Sequence, residues 1–315
     1  MIIKTIQATL TLLPILIAIA FLTLLERKIL STTQTRKGPN IIGIFGTLQP
    51  IADAIKLIIK ENSKPYKTNT YIFLISPTIS ISIAITAWSV IPLNYTTPQS
   101  DTNISIIIIL ALSSLSIYAI LLTGWASNSK YSLLGSIRAT AQMISYEISI
   151  GLIIITTIYI SSNLNLSIIT ESQTHIWLSI PLFPALLMLL ISSLAETNRT
   201  PFDLTESESE LVSGFNVEYS AILFTLLFLA EYTNILLLST IITILFLGGS
   251  TIAKTSNPTI LATKIISISY LFIWIRATYP RIRYDQLMHL TWKNFLPLSL
   301  ALTIITPSII LHSTP

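Results

Sequence analysis

The stretch at positions 219–247 reads YSAILFTLLFLAEYTNILLLSTIITILFL and carries one charged residue, Glu231. A membrane-spanning α-helix needs roughly 20 consecutive, mostly apolar residues, and this stretch is longer than that. Hydrophobic residues make up 52% of the 315 residues and charged residues only 10%, whereas a soluble domain carries about 25% charged residues. The mean hydropathy is +0.74. The sequence therefore predicts an all-α polytopic membrane protein.

Seven further stretches have the same character, and we expect about eight transmembrane helices in one membrane domain of residues 1–315. Their approximate limits are 2–25, 70–91, 104–126, 136–160, 176–194, 219–247, 257–276 and 291–311. No internal repeat is recognisable, which argues against the transporters that are built from inverted repeats.

The basic residues are distributed unevenly between the two sides of the predicted bundle. Of the 18 Lys and Arg residues, all but Lys4, Lys254 and Lys264 lie in or beside the odd-numbered connections. Because Lys and Arg accumulate in loops on the inner side of a membrane, we expect these connections to face the cytoplasm or matrix. Both termini then face the opposite side.

The longest connection, 26–69, contains a second kind of helical pattern at about 47–61. One face is apolar and the other polar: Leu48, Ile51, Ala52, Ile55, Ile58 and Ile59 oppose Gln49, Asp53, Lys56 and Lys60. This pattern predicts an amphipathic helix that lies in the plane of the interface. Such a helix could be a simple surface anchor, or it could be a lid over an opening between the spans.

An acidic loop, 195–218, follows the fifth predicted span. The surrounding segment 194–219 reads LAETNRTPFDLTESESELVSGFNVEY and has one base, Arg199. It holds six of the 14 acidic residues, namely Glu196, Asp203, Glu206, Glu208, Glu210 and Glu218. Carboxylates this close raise one another's proton affinity where water is scarce and titrate as a set. A solvated loop is the alternative, but interleaved Phe202, Leu204, Leu211, Val212 and Phe215 favour packing.

Two further acids, Glu147 and Glu231, fall inside predicted spans, the second beside Tyr232. A charge in the bilayer costs at least a few kcal/mol and usually faces a polar cavity, a partner or a proton path. The alternative is a buried ion pair that fixes helix packing. The chain has no cysteine and no nucleotide-binding glycine motif, so any redox chemistry must depend on partner proteins.

Several motifs together resemble subunit 1 of NADH dehydrogenase (ubiquinone), a membrane subunit of respiratory complex I, most closely its mitochondrially encoded animal form. They are LLERKIL (24–30), RKGPN (36–40), LQPIADAIKL (48–57), GWASNSKYSLLGSIRATAQMISYE (124–147), the acidic segment 194–219, AEYTNI (230–235) and WIRATYPRIRYDQLMHLTWKNFLPL (274–298). They are distributed over nearly the whole chain.

The resemblance implies a core membrane subunit of an enzyme that passes electrons from NADH to ubiquinone and pumps protons. Ubiquinone would be the substrate, whereas FMN and the iron–sulfur clusters would sit only in partner subunits. The expected partners are the peripheral-arm subunits of the quinone site, the neighbouring membrane-arm subunits and membrane lipids, with no nucleic acid. The expected location is the mitochondrial inner membrane, with the odd connections in the matrix and both termini in the intermembrane space.

The resemblance also implies roles for particular residues, although no catalytic group and no metal ligand in this chain. The quinone tunnel would involve Arg27, Arg36, Asp53 and Phe224. The proton-linked coupling path would comprise Glu147, Glu196, Asp203, Glu206, Glu208, Glu210, Glu218, Glu231 and Tyr232. Its charge partners would be Tyr146, Arg138, Arg199, Arg276 and Arg281.

Other functions remain open on the residues alone. A stand-alone cation/proton transporter would explain carboxylates within spans, and a passive membrane anchor of a redox complex would explain the helices. A related hydrogenase-type complex uses a similar membrane subunit and would differ in its partner set.

Overall fold

A computed structural model describes residues 2–93, 100–203, 214–252 and 255–313. The chain is helical, with α1 at Ile2–Thr33, α2 at Gln49–Ile59, α3 at Thr70–Trp88, α4 at Ser105–Ala126, α5 at Lys130–Ser161, α6 at Leu166–Ser172 and α7 at Phe183–Glu196. It continues with α8 at Ala221–Phe246, α9 at Pro258–Thr278, α10 at Tyr284–His289, a π-helical turn at Leu290–Phe295 and α11 at Leu296–Ser313. Short 3₁₀ turns occur at Ile44–Gly46 and Gly214–Asn216, and strands β1 (Thr251–Ile252) and β2 (Thr255–Ser256) form a small antiparallel pair.

The predicted membrane class is confirmed by the length and composition of these helices. Among the described residues, seven helices are long and apolar enough to cross a membrane, and α7 is a shorter apolar helix. Each predicted span corresponds to one of them or to the continuous helical region from α10 to α11.

Three of these helices differ in length from the predicted spans, for identifiable reasons. Helix α5 begins at Lys130 rather than 136 because the hydroxyl of Ser129 caps it and accepts a hydrogen bond from the Ser132 amide. Helix α7 begins at Phe183 rather than 176, with Pro184 in its first turn, where a missing N–H costs nothing. Helix α1 runs on to Thr33 and therefore carries Glu26 and Arg27 within a regular helix.

Helices α5 and α8 occupy the inside of the bundle. Helix α5 packs against α4, α7 and α11, and α8 packs against α3, α9 and α1. Half of the apolar window of each is buried, against less than a third in the other long helices. Glu147 and Glu231 therefore lie on the two most enclosed helices.

The amphipathic helix predicted at 47–61 is α2, and it contacts α1 and α8. Its isoleucines, including Ile55 and Ile59, point away from the chain and are exposed. Asp53 on the opposite face is paired with α1. The helix thus turns Pro50, Asp53 and Leu57 towards the protein, whereas Lys56 and Lys60 are exposed. Its isoleucines face outward, which is the orientation that an interfacial helix needs to reach lipid.

Candidate functional site

A cavity of about 490 Å³ lies between α1, α2 and α8, and we call it the charged cavity. Its apolar wall includes Leu57, Phe224, Phe228 and Leu229. Its polar lining is formed by Glu26, Arg27, Asp53, Arg199, Tyr232 and Arg276. Small-molecule sites typically enclose roughly 300–1,000 Å³ and combine apolar walls with a few placed polar groups. The charged cavity has both properties.

Helix α2 forms one wall of this cavity, with Pro50 and Asp53 among its lining residues. Arg27 Nη1 on α1 lies 2.6 Å from Asp53 Oδ2, and the amide of Gln49 donates to the other carboxylate oxygen at 3.1 Å. The ion pair is open to solvent, since the Arg27 side chain is 52% exposed. Exposed pairs contribute little stability, so this contact can hold α2 in place without locking it there.

The polar end of the charged cavity is organised by Glu26, whose side chain is 8% exposed. Its Oε2 accepts a hydrogen bond from the Tyr232 hydroxyl at 2.6 Å, and its Oε1 accepts one from Arg276 Nη1. Arg199 Nη1 lies 3.6 Å from the same Oε1. One carboxylate on α1 therefore joins α8, α9 and the segment after α7, and we call this group the Glu26 hub.

Arg199 links the hub to the intramembrane acid on α8. Its Nη2 lies 3.8 Å from Glu231 Oε2, and its guanidinium carbon lies 4.6 Å from the centre of the Tyr232 ring. The Arg199 side chain is only 11% exposed. A buried cation is tolerated when carboxylates compensate it, so the positions of Glu26 and Glu231 depend on each other through Arg199.

The beginning of the acidic loop is fastened by Gln142 on α5, which is fully buried. Its side-chain amide donates to the carbonyls of Ala195, at 2.8 Å, and Phe202, at 2.9 Å. Asp203 is buried beside Arg281 Nη2, at 3.2 Å. The loop is therefore tied to the interior of the bundle at its start, which favours packing over free solvation for these residues.

Two further predicted acids, Glu147 on α5 and Glu196 at the end of α7, are partly buried. Ser113 Oγ on α4 donates to Glu147 Oε1 at 3.3 Å. A small cavity of about 50 Å³ is lined by Ser113, Ser193, Glu196 and Asn234 among others. A space of this size exceeds the roughly 10–15 Å³ that one water requires, and it brings hydroxyl, amide and carboxyl groups together between α4, α7 and α8.

The other predicted residues are distributed around this region. Phe224 lines the charged cavity with its ring 4.3 Å from that of Phe228, whereas Arg36 is exposed beyond the end of α1 and outside the cavity lining. Tyr146 is fully buried against Phe202, and its hydroxyl has no hydrogen-bond partner within the described ranges. Arg138 and Glu218 are partly buried. Glu206, Glu208 and Glu210 lie outside the described residues.

Two residues that organise this region, Glu26 and Gln142, are not among the predicted site residues. Glu26 was visible as an acid at the end of the first span, but its partners are 206 and 250 positions away. Gln142 was visible as an amide inside the fourth span, but only packing shows that it holds backbone carbonyls of another segment.

These features define a class: a helical multi-pass membrane protein whose charged cavity is walled by an amphipathic helix and connected to carboxylates inside the bundle. Residues 6–307 match the family model described as NADH dehydrogenase. The chain belongs to this family.

Similar proteins carry the name NADH-ubiquinone oxidoreductase chain 1. That of Oncorhynchus mykiss is 54% identical over 293 residues, covering 92% of this chain and 90% of its own length. That of Priodontes maximus is 51% identical over 312 residues, or 96% of both chains. That of Cyanidium caldarium is 54% identical over 305 residues, or 95% of this chain and 89% of its own. The resemblance recognised in the sequence motifs is confirmed, and with it membership in an enzyme complex.

Proposed function

We propose that this chain is a core membrane subunit of a proton-pumping NADH–ubiquinone oxidoreductase. In this proposal the charged cavity is part of the quinone access path, and the Glu26 hub begins the coupling path to the intramembrane carboxylates. The family supports the enzyme complex, and the geometry of the charged cavity is the observation that supports the finer assignment.

The cavity has the chemistry that an amphiphilic quinone requires. A quinone combines a long apolar tail with a ring that carries two carbonyl acceptors. Aromatic and aliphatic side chains such as Phe224, Phe228 and Leu57 would contact the tail and ring faces. Arg27 and Arg199 supply N–H donors at the polar end.

Helix α2 is suited to act as a lid, which is one of the two interpretations of its pattern. Its contacts with α1 include the exposed Arg27–Asp53 pair, and its outward isoleucines would keep it in the membrane interface. The mouth of the cavity would open when this pair separates, while α2 stays at the level at which the quinone arrives.

Coupling would begin with a change in charge at the hub. Arg199 has one guanidinium between two carboxylates, those of Glu26 and Glu231. Quinone reduction consumes protons, and a proton or a quinone oxygen near Glu26 would release Arg199 towards Glu231. Two alternative pairings of one cation form the kind of two-state element that coupling requires.

The remaining assignments follow the same proposal. Ubiquinone would be the substrate, whereas FMN and iron–sulfur clusters would belong to partner subunits of the peripheral arm. The chain would lie in the mitochondrial inner membrane with α2 and the acidic loop on the matrix side and both termini in the intermembrane space. A lone cation transporter would use the same buried carboxylates. That alternative does not explain why a helix with a lipid-facing apolar side forms one wall of an amphiphilic cavity.

The test is photo-crosslinking of the intact complex with a reactive ubiquinone analogue, with and without excess natural quinone. We expect label on α1 at 19–30, on α2 and on α8 at 224–232, and we expect natural quinone to remove it. Label confined to other subunits, at an analogue concentration that blocks turnover, would rule out a quinone path along this cavity.

A further inference from the structure

The connection that follows α2 is attached directly to the start of α8. The backbone amide of Ser63 donates a hydrogen bond to Ser220 Oγ at 2.9 Å, and the hydroxyl oxygens of the two serines lie 2.8 Å apart. Ser220 is the residue immediately before α8. Two serines that are 157 positions apart in sequence therefore join the end of the lid to the helix that carries Phe224 and Glu231.

The chain on the α8 side of this contact is firmly held. Tyr219 is buried, and its ring stacks on that of Phe73 with 4.1 Å between the ring centres. Its hydroxyl lies 3.2 Å from Ser76 Oγ and donates to the carbonyl of Thr123. Ala221 is 1% exposed and has a φ of +52°, a left-handed conformation that L-residues keep only where surrounding contacts impose it. The residue between these two is therefore a fixed point of the backbone.

The connection is also held beyond Ser63, on its way to α3. The side-chain amide of Asn128 donates to the carbonyl of Lys67 at 3.1 Å, and the backbone amide of Asn69 donates to the carbonyl of Ala126 at 3.1 Å. Both contacts attach the connection to the corner between α4 and α5. From Ser63 onward the chain is thus part of the packed bundle.

Helix α2, in contrast, is loosely attached. It lies wholly within the described residues, and none of its 11 residues is buried. The Arg27–Asp53 pair that connects it to α1 is open to solvent, and residues 60–62 between α2 and Ser63 are exposed. Elements with few buried contacts open locally at a low cost in free energy. The chain therefore changes from loosely attached to fixed at 60–63.

We propose that the Ser63–Ser220 contact is the fixed end of a hinge on which the α2 lid turns, and that Ser220 is a positioning residue for quinone entry. A hinge consists of a few residues at the end of an element that absorb the change in backbone angles. At 1.5 Å per residue, Pro50 lies about 14 Å along α2 from Ile59. Rotation about 60–63 therefore displaces the Pro50 end of the cavity wall most and leaves the α8 wall in place. This inference rests on the proposed function, in which α2 covers the quinone path.

The first experiment closes the hinge covalently in the intact complex. The chain has no cysteine, so introduced thiols are unique within this subunit. Ser63→Cys is combined with Ser220→Cys and oxidised. The oxygens are 2.8 Å apart, so an S–S bond of about 2.05 Å requires an approach of about 0.8 Å. We expect the disulfide to form and to leave quinone turnover within about twofold of the reduced enzyme, because a hinge keeps its two sides together during movement. A disulfide that blocks turnover, or thiols that do not pair in the assembled complex, would overturn the proposal.

A bridge at the other attachment of the lid should have the opposite effect. In Arg27→Cys combined with Asp53→Cys, a cleavable reagent with two thiol-reactive groups connects α1 to α2. Compared with the same variant treated with a one-armed reagent, we expect quinone turnover to fall roughly tenfold or more, because a lid that cannot open blocks entry, and to recover on cleavage. Unchanged turnover would overturn the hinge even where natural quinone still removes photo-crosslinks from α1 and α8. Photo-crosslinks confined to other subunits would instead refute the quinone path itself.

Ser220→Ala tests the hydroxyl without a covalent bridge. We expect the KM for ubiquinone to rise roughly threefold at an unchanged kcat, because the lid loses hydrogen bonds at its fixed end and is closed for a smaller fraction of the time. Ser220→Thr keeps the hydroxyl and suits the extended backbone at this position, so its KM should be normal. Ser82→Ala, which removes a hydroxyl bonded within α3, is the matched control. A lower kcat at a normal KM would contradict a role of Ser220 in quinone entry.

Discussion

Neutralising Glu26 is the most direct perturbation of the site, because this one carboxylate accepts contacts from three segments. The substitution Glu26→Gln keeps the size of the side chain and removes its charge. Tyr232 would lose a charge-assisted hydrogen bond of 2.6 Å, and Arg276 and Arg199 would lose their shared counter-ion. The two guanidiniums would then repel each other, and Glu231 would remain as a counter-ion of Arg199.

The magnitude follows from the burial of the group. The side chains of Glu26 and Arg199 are 8% and 11% exposed, so solvent screens them weakly. Removing one partner of a buried ion pair costs about 3–5 kcal/mol, and a hydrogen bond to a charged group contributes about 1.5–3 kcal/mol. The two contributions overlap because Glu26 takes part in both the ion pair and the hydrogen bond. We therefore expect a total loss of stability of about 3–5 kcal/mol. Relaxation of Arg199 towards Glu231 would displace the wall of the charged cavity.

The assay compares two electron acceptors in the assembled complex. We expect quinone-dependent NADH oxidation to fall by roughly tenfold or more. A tenfold fall requires that only about 1.4 kcal/mol of this loss raises the activation free energy of the quinone-dependent step. Reduction of a hydrophilic acceptor that takes electrons before the quinone should stay unchanged. Glu61→Gln, an exposed carboxylate after α2, is the matched control. A Glu26→Gln complex with normal quinone turnover and normal thermal stability would refute the hub as a coupling element.

Three further substitutions test α2 as a lid, the attachment of the acidic loop to α5, and a polar contact on the side of the bundle away from the Glu26 hub. Asp53→Asn breaks the exposed pair with Arg27. We expect a loss of stability of less than about 1 kcal/mol but a changed KM for ubiquinone in steady-state kinetics. An unchanged KM would argue against a lid. Gln142→Leu leaves two buried carbonyls without their donor. It should lower the free energy of unfolding by about 2–4 kcal/mol, measured as a lower Tm, and it should also lower the proton-to-electron ratio. A lower Tm with full pumping would make Gln142 purely structural. Lys264→Met removes three hydrogen bonds, of 2.6–3.0 Å, to carbonyls of the turn that follows α8. The Tm should therefore fall while quinone turnover per assembled complex stays normal. Loss of turnover there would mean that both faces of the bundle are coupled.

The helices and the cavity were not equally visible in the sequence. The span around Glu231 was evident because a long apolar run has no stable state in water and needs no partner to be recognised. Helix α2 was evident because its apolar positions recur with helical spacing. The first residue of α7 was predicted less accurately, because Pro184 influences the start of a helix through backbone geometry and not through hydropathy.

The site residues divide in the same way. Arg27, Asp53 and Phe224 were expected together and do line one cavity, while Arg36 from a neighbouring motif lies outside it. A motif fixes which residues are near in sequence, whereas lining a cavity depends on the rotation of each helix about its axis. Gln142 carried no signal beyond being polar within a span.

The sequence by itself determined that this is a helical membrane protein, and it showed which charged residues lie within or beside the apolar stretches. These properties depend on composition and short-range periodicity, which act within a few turns of one helix. Only the tertiary structure decided that Glu26 meets Arg276 across 250 positions and that Arg199 stands between two carboxylates. It also decided that α1, α2 and α8 enclose the charged cavity. Such pairings arise from the packing of distant helices, where the desolvation of a charge must be offset by whichever counter-charge the fold brings within reach.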